Sequence, residues 1–146
     1  MDFSEIFANK IFLSCLIAVV AAQLIKISID YVGRKKWNMS LLFSTGGMPS
    51  GHSAVVAALA TSVYLDETAT MALFAVVIVI ALMTVYDSLT IRKTVGHHTS
   101  ILNEILKALK LHNKYSVKEL AGHSFTQVIA GIALGVAIAL IVNLFV

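Results

Sequence analysis

Hydrophobic residues run in long blocks along this chain, and polar residues gather between them. Residues 11–25, 37–65, 68–86 and 120–146 contain no Asp, Glu, Lys or Arg. None of these blocks alternates with a period of two, and lipid admits only helices or closed barrels as spanning structures. A crossing helix needs about 20 mostly apolar residues. Residues 68–86 and 125–146 reach that length directly, and the first block reaches it by running past Gln23 and Lys26 to Ile29. The second holds a turn, Ser44-Thr45-Gly46-Gly47-Met48-Pro49, so its helix is expected to begin near Ser50. That helix stops at Asp66, which leaves it short for a full crossing. Asp66-Glu67 is then too tight a link for anything but a helical hairpin. From His97 to Leu111 the residues Ile101, Leu102, Ile105, Leu106 and Leu109 share one face. That spacing predicts a helix lying in the interface, with Lys107 and Lys110 toward water or headgroups. The whole pattern predicts one all-α domain over residues 1–146, an integral membrane four-helix bundle. Its spans are expected at 8–29, 50–65, 68–90 and 124–146, with the amphipathic interfacial helix between the third and fourth.

Composition narrows the class further. Hydrophobic residues make up 58% of the chain and charged residues 13%, against about 25% charged in soluble domains. With a mean hydropathy of +0.87, a soluble globule, a disordered chain and a coiled coil are excluded. Of the 11 Lys and Arg residues, only Lys10 falls on one side of the expected bundle. The opposite side carries Lys26, Arg34, Lys35, Lys36, Arg92, Lys93 and the lysines beyond. The positive-inside rule makes that side cytoplasmic, with both termini outside, in a multi-pass plasma-membrane protein. A phosphate-binding site would draw the same charges. Asp2 and Glu5 spoil a positive n-region, so no signal sequence is expected. The single Cys15 supports neither a disulfide nor a cysteine metal site. His97 and His98 diverge as helix neighbours, so no metal site is expected. Membrane lipids, not nucleic acid, are the expected partners.

Polar groups within membrane helices are costly and often functional. Antiparallel spans bring Lys26, His52, Asp87 and His123, from four distant parts of the chain, to the same end of the bundle. The turn Gly46-Gly47-Met48-Pro49-Ser50-Gly51-His52 is the sharpest local signal. Glycines allow close backbone approach, and a helix N-terminus offers N–H groups with partial positive charge. Such a turn suits a phosphate, or alternatively serves only as a helix cap at the bilayer surface. Gly131 and Gly135 form a small-xxx-small pair that packs helices, either within the bundle or in a homodimer.

Pro49-Ser50-Gly51-His52 resembles the central motif of the type-2 phosphatidic acid phosphatase and vanadium haloperoxidase superfamily. The stretch from His123 to Gly131 resembles its third motif. Gly46 to Ala54, Tyr86 to Lys93, the Leu102-Asn103 pair and Glu119 to Ser124 resemble the divergent, compact branch of that superfamily, from Gln23 to Gly135. The resemblance implies a membrane lipid phosphatase that needs no cofactor. His123 would be the nucleophile, forming a phosphohistidine, and His52 the general acid for the leaving alkoxide. Lys26, Ser50, Gly51, Arg92 and Arg34 would hold the phosphate oxygens of a lipid phosphate or diphosphate. This sequence departs from the pattern at three places. Gln127 stands where the family has a carboxylate four residues after the nucleophile, with Asp87 as a candidate substitute. Lys26 is followed by Gly33 at the usual Arg position, and then Arg34 without a proline. The Ser-Arg pair before the nucleophile is missing, with Arg92 as a candidate replacement. A non-catalytic protein that binds or translocates phospholipid is the rival reading.

Overall fold

The structure, a computed structural model, describes residues 4–35, 47–111, 115, 117 and 124–146, without the side chains of Ser4, Glu5 and Arg92. It contains α1 (Ser4–Ala8), α2 (Lys10–Arg34), α3 (Gly51–Leu65), α4 (Met71–Leu89), α5 (Ile91–Ala108) and α6 (Phe125–Phe145). No strand occurs among the described residues. The protein is therefore all-α, as the apolar blocks predict. Three helices, α2, α4 with its continuation, and α6, are long and apolar enough to cross a membrane. The 15 residues of α3 span about 22 Å at 1.5 Å per residue, short of a hydrocarbon core about 30 Å thick.

Two of the long helices, α2 and α4, start at a capping side chain. Asn9 Oδ1 accepts the N–H groups of Ile11 and Phe12 at 2.9 and 3.1 Å, and Thr70 Oγ1 accepts that of Leu73 at 3.2 Å. These bonds satisfy N–H groups that the helix itself leaves without partners. Between α3 and α4, Asp66 Oδ1 accepts the backbone N–H of Thr68 at 2.9 Å and its hydroxyl at 2.7 Å, closing the hairpin.

The amphipathic helix begins at Ile91, six residues before the expected His97. The reason is continuity: Thr90 donates to Tyr86 O and Thr94 to Thr90 O at 3.0 and 2.9 Å, so the backbone ladder barely breaks after α4. Nothing at residues 90–95 stops a helix, since the first glycine there is Gly96. Further along, Asn103 is buried and clamps the following segment. Its Nδ2 donates to Val117 O at 2.8 Å, and its Oδ1 accepts Val117 N–H at 3.0 Å.

At the centre lies α3, packed against α2, α4 and α6. Its contact with α6 is set by small residues. A Cβ added at Gly135 would collide with the Ala54 carbonyl oxygen and lie 2.9 Å from Ala58 N. One added at Gly131 would collide with the Ser50 carbonyl oxygen and lie 3.0 Å from Ser53 Cβ. Without a hydrophobic drive between helices in lipid, such close approach maximises van der Waals contact. The Gly131–Gly135 face is thus used within the chain, to pack α6 against α3. On α2, buried residues recur every fourth position: Ser14, Ala18, Ala22 and Lys26. Ala18 and Ala22 join Ala54, Ala58 and Ala139 in the core. Large apolar side chains such as Leu82, Met83 and Leu144 point outward, the expected arrangement where the solvent is lipid.

Candidate functional site

Lys26 is the fourth member of the buried stripe on α2, and packing of that stripe carries its side chain into the bundle. It is 5% exposed. Its stem lies against the turn before α3, because a Cβ on Gly47 would sit 3.1 Å from both Cγ and Cδ of Lys26. Gly47 has φ +98°, a conformation that costs a residue with a side chain, so both backbone shape and the neighbouring lysine require glycine here. Gln23 and Asp30 flank Lys26 at three and four residues on the same helix. Gln23 Oε1 and Asp30 Oδ2 are buried acceptors without a hydrogen bond. Neither residue was singled out by the motif reading as a phosphate contact, although Gln23 stood out as polar in an apolar block.

Ser50 follows the turn and is fully buried. Its Oγ caps α3, accepting the Ser53 N–H at 3.4 Å and the Ser53 hydroxyl at 3.0 Å. Its own N–H donates to Gln127 O in the first turn of α6 at 2.9 Å. This bond ties the two sequence motifs together through backbone. Gly51 has nothing within 4 Å of an added Cβ, so space stands open beside the first turn of α3. His52, one residue further, is exposed.

Gln127 is the N3 residue of a capping box on α6. Ser124 Oγ accepts the Gln127 N–H at 3.3 Å, and Gln127 Oε1 accepts the Ser124 N–H at 3.0 Å. A glutamine at this position has a structural use that its identity alone explains. Asp87 is half-buried in the last turn of α4, beside the buried Ser88. Arg34 is not gathered into the buried layer. Its side chain is 73% exposed, and Nε pairs with Asp30 Oδ1 at 2.9 Å, one helical turn back. Arg92 is the second residue of α5, with a side chain outside the description. His123, which directly precedes the α6 cap Ser124, lies outside the described residues.

Lys26, Gly47, Ser50, Gly51 and Gln127 therefore come together where the second half of α2 passes the starts of α3 and α6. The arrangement offers one buried cation, an open helix N-terminus and an exposed histidine, the chemistry of an anion-binding end. Sequence reading underrated Gly47, whose signal was the Gly-Gly pair ahead of the proline. Asn103 was noted only within the Leu102-Asn103 pair, and its clamp on Val117 needed the tertiary structure. The two glycines of the turn should also behave differently on substitution. Gly47→Ala should destabilise the protein by about 1 kcal/mol or more through its positive φ and the lysine contact. Gly51→Ala should leave thermal unfolding unchanged, while a methyl group in the open space should weaken vanadate binding measured by calorimetry.

Fold and site define a membrane helix-bundle protein with a capped turn packed on a buried lysine at one end. The chain belongs to the Divergent PAP2 family, which its residues 7–138 match. It is also 34% identical over 155 residues to the uncharacterized membrane protein YuiD of Bacillus subtilis (strain 168), covering 97% of this chain and 98% of that relative. No solved structure matches it.

Proposed function

We propose that this protein hydrolyses a lipid phosphate monoester or diphosphate through a phosphohistidine. The observation that carries the reading is the 2.9 Å bond from Ser50 N–H to Gln127 O. It joins the turn that precedes His52 to the helix turn that follows His123, against the turn that packs on Lys26. In the proposed reaction a ring nitrogen of His123 attacks phosphorus, and the bond from phosphorus to the lipid oxygen breaks. His52 donates its proton to the departing oxygen, which leaves as an alcohol from a monoester or as a lipid monophosphate from a diphosphate. Water then attacks the phosphohistidine while His52 takes up its proton, releasing inorganic phosphate and restoring both histidines. Lys26 and the N–H groups at the start of α3 stabilise the charge spread over the equatorial oxygens.

The positive-inside bias puts this end of the bundle at the cytoplasmic leaflet of the plasma membrane. A cysteine at Asp66 in a Cys15→Ser background should then be labelled by an impermeant reagent from outside intact cells. Labelling only after permeabilisation would reverse the orientation. The single domain is proposed to span the whole of residues 1–146.

Purified protein should release phosphate from at least one of phosphatidate, phosphatidylglycerol phosphate and a polyprenyl diphosphate. Vanadate, which adopts the trigonal-bipyramidal geometry of the transition state, should inhibit that release. A second reading, phospholipid binding without turnover, is favoured by one observation: Gln127 Oε1 serves the α6 cap. Vanadate binding with no phosphate released from any of the three lipids would select it.

A further inference from the structure

The opposite end of the bundle holds a second polar feature that the phosphatase reading does not use. A cleft of about 490 Å³ opens between the start of α2, the end of α3 and the end of α6. That volume lies within the roughly 300–1,000 Å³ of ligand pockets. Lys10, Ser62, Asp66, Glu67 and Asn143 line it. Because α2 runs toward Lys26 while α3 and α6 run away from Ser50 and Gln127, this cleft lies at the far end from the candidate site.

Ser62 marks the cleft as more than a surface dent. It is 5% exposed, and its hydroxyl has no hydrogen-bond partner. Several other helical hydroxyls fold back onto a carbonyl of their own helix. Ser14 Oγ donates to Lys10 O at 2.7 Å, Thr84 Oγ1 to Ile80 O at 2.8 Å and Thr99 Oγ1 to Val95 O at 2.9 Å. The Ser62 hydroxyl makes no such bond, although a buried polar group without a partner is costly. Asp66, the residue that caps the end of α3, lies four residues on and lines the same cleft.

The charges across the cleft also stay apart. Two hydrogen bonds from Thr68, and more weakly the charge of Lys10, hold the Asp66 carboxyl below its usual range. Yet no ion pair joins Lys10 to Asp66 among the described residues. A simple anion would meet two carboxylates here, and a simple cation would meet Lys10. A group carrying both charges a few ångströms apart satisfies both.

We propose that this cleft binds a phosphate ester bearing an ammonium group, as in the headgroup of phosphatidylethanolamine. Lys10 holds the phosphate, Asp66 and Glu67 hold the ammonium, and the Ser62 hydroxyl gains its missing partner. The cleft lies at the ends of apolar helices, the level at which spanning helices meet lipid headgroups, and the inference stands independently of the phosphatase reading.

Native mass spectrometry of the detergent-purified protein tests it, with short-chain phosphatidylethanolamine as probe and short-chain phosphatidylglycerol as comparison. In Lys10→Gln and in Asp66→Asn/Glu67→Gln, phosphatidylethanolamine adducts should fall about tenfold, since each variant removes charged hydrogen bonds. Phosphatidylglycerol, which has no ammonium, should bind the double carboxylate variant at least as well as wild type. Should the double variant disturb the hairpin, Ser62→Ala, which removes only an unpartnered hydroxyl, should still weaken the phosphatidylethanolamine adduct. Competition by free phosphoethanolamine at matched concentration would assign the site to a soluble ester. Its failure to compete, with adducts lost in the variants, would assign the site to the lipid. Phosphatidylethanolamine adducts unchanged in Lys10→Gln and Ser62→Ala would overturn the proposal.

Discussion

Gly135→Val is expected to abolish the folded bundle. The first atom of the new side chain would collide with the Ala54 carbonyl oxygen and stand 2.9 Å from Ala58 N. Both obstacles are backbone atoms of α3, which cannot swing aside as a side chain does. Overpacking a core commonly costs about 1–3 kcal/mol, and more where backbone must move. The α3–α6 contact is the most extensive in the bundle, so separating those helices removes its principal packing. Helix propensity works the other way, since valine is a slightly better helix former than glycine, so the loss is steric. Gly33→Val provides the comparison, because a Cβ at Gly33 meets nothing within 4 Å, so this variant should melt no lower than wild type. Size-exclusion profiles and thermal unfolding in detergent measure both variants. Wild-type melting of Gly135→Val would show that α3 and α6 do not approach through this face.

The second large effect concerns the start of α6. His123→Ala should abolish phosphate release if this histidine is the nucleophile. Gln127→Glu should raise turnover about tenfold, which needs only about 1.4 kcal/mol of added transition-state stabilisation. A charge-assisted hydrogen bond to the imidazolium of His123 can supply that much. The capping box makes this a clean substitution. Glutamate at N3 accepts the Ser124 N–H as glutamine does, and its negative charge suits a helix N-terminus. The variant should therefore melt no lower than wild type, so any change in turnover reports charge near His123. Phosphate release by His123→Ala at the wild-type rate would remove the phosphohistidine step. Inactivity of both wild type and Gln127→Glu would leave the binding reading in place.

The limits of sequence reading are visible in individual residues. The turn before α3 and the Ser50 cap were legible because glycine, proline and serine act locally, through φ and through short side-chain bonds. Arg34 stands one residue past the motif position, and the structure shows its local use: Asp30 lies one turn away and takes the guanidinium at 2.9 Å. Asn103 resembled a family feature without an evident use, since its partner Val117 is 14 residues away across a segment with no periodic pattern.

What the sequence determined by itself is the set of membrane helices, the Ser50 cap and the end of the bundle at which Lys26 and the turn before α3 meet. Those follow from block length, local capping chemistry and the alternating direction of successive spans. The inward face of each helix was decided only by the tertiary structure. In water an amphipathic stripe announces that face, but in lipid the surroundings are as apolar as the core, so α3 and α6 carry almost no such stripe. Steric fit chooses instead. Gly131 and Gly135 admit the backbone of α3, and Ser14, Ala18 and Ala22 bring α2 inward and carry Lys26 with them against Gly47. The burial of that lysine was therefore not readable from its own neighbourhood in the chain. It follows from the small residues one, two and three turns before it.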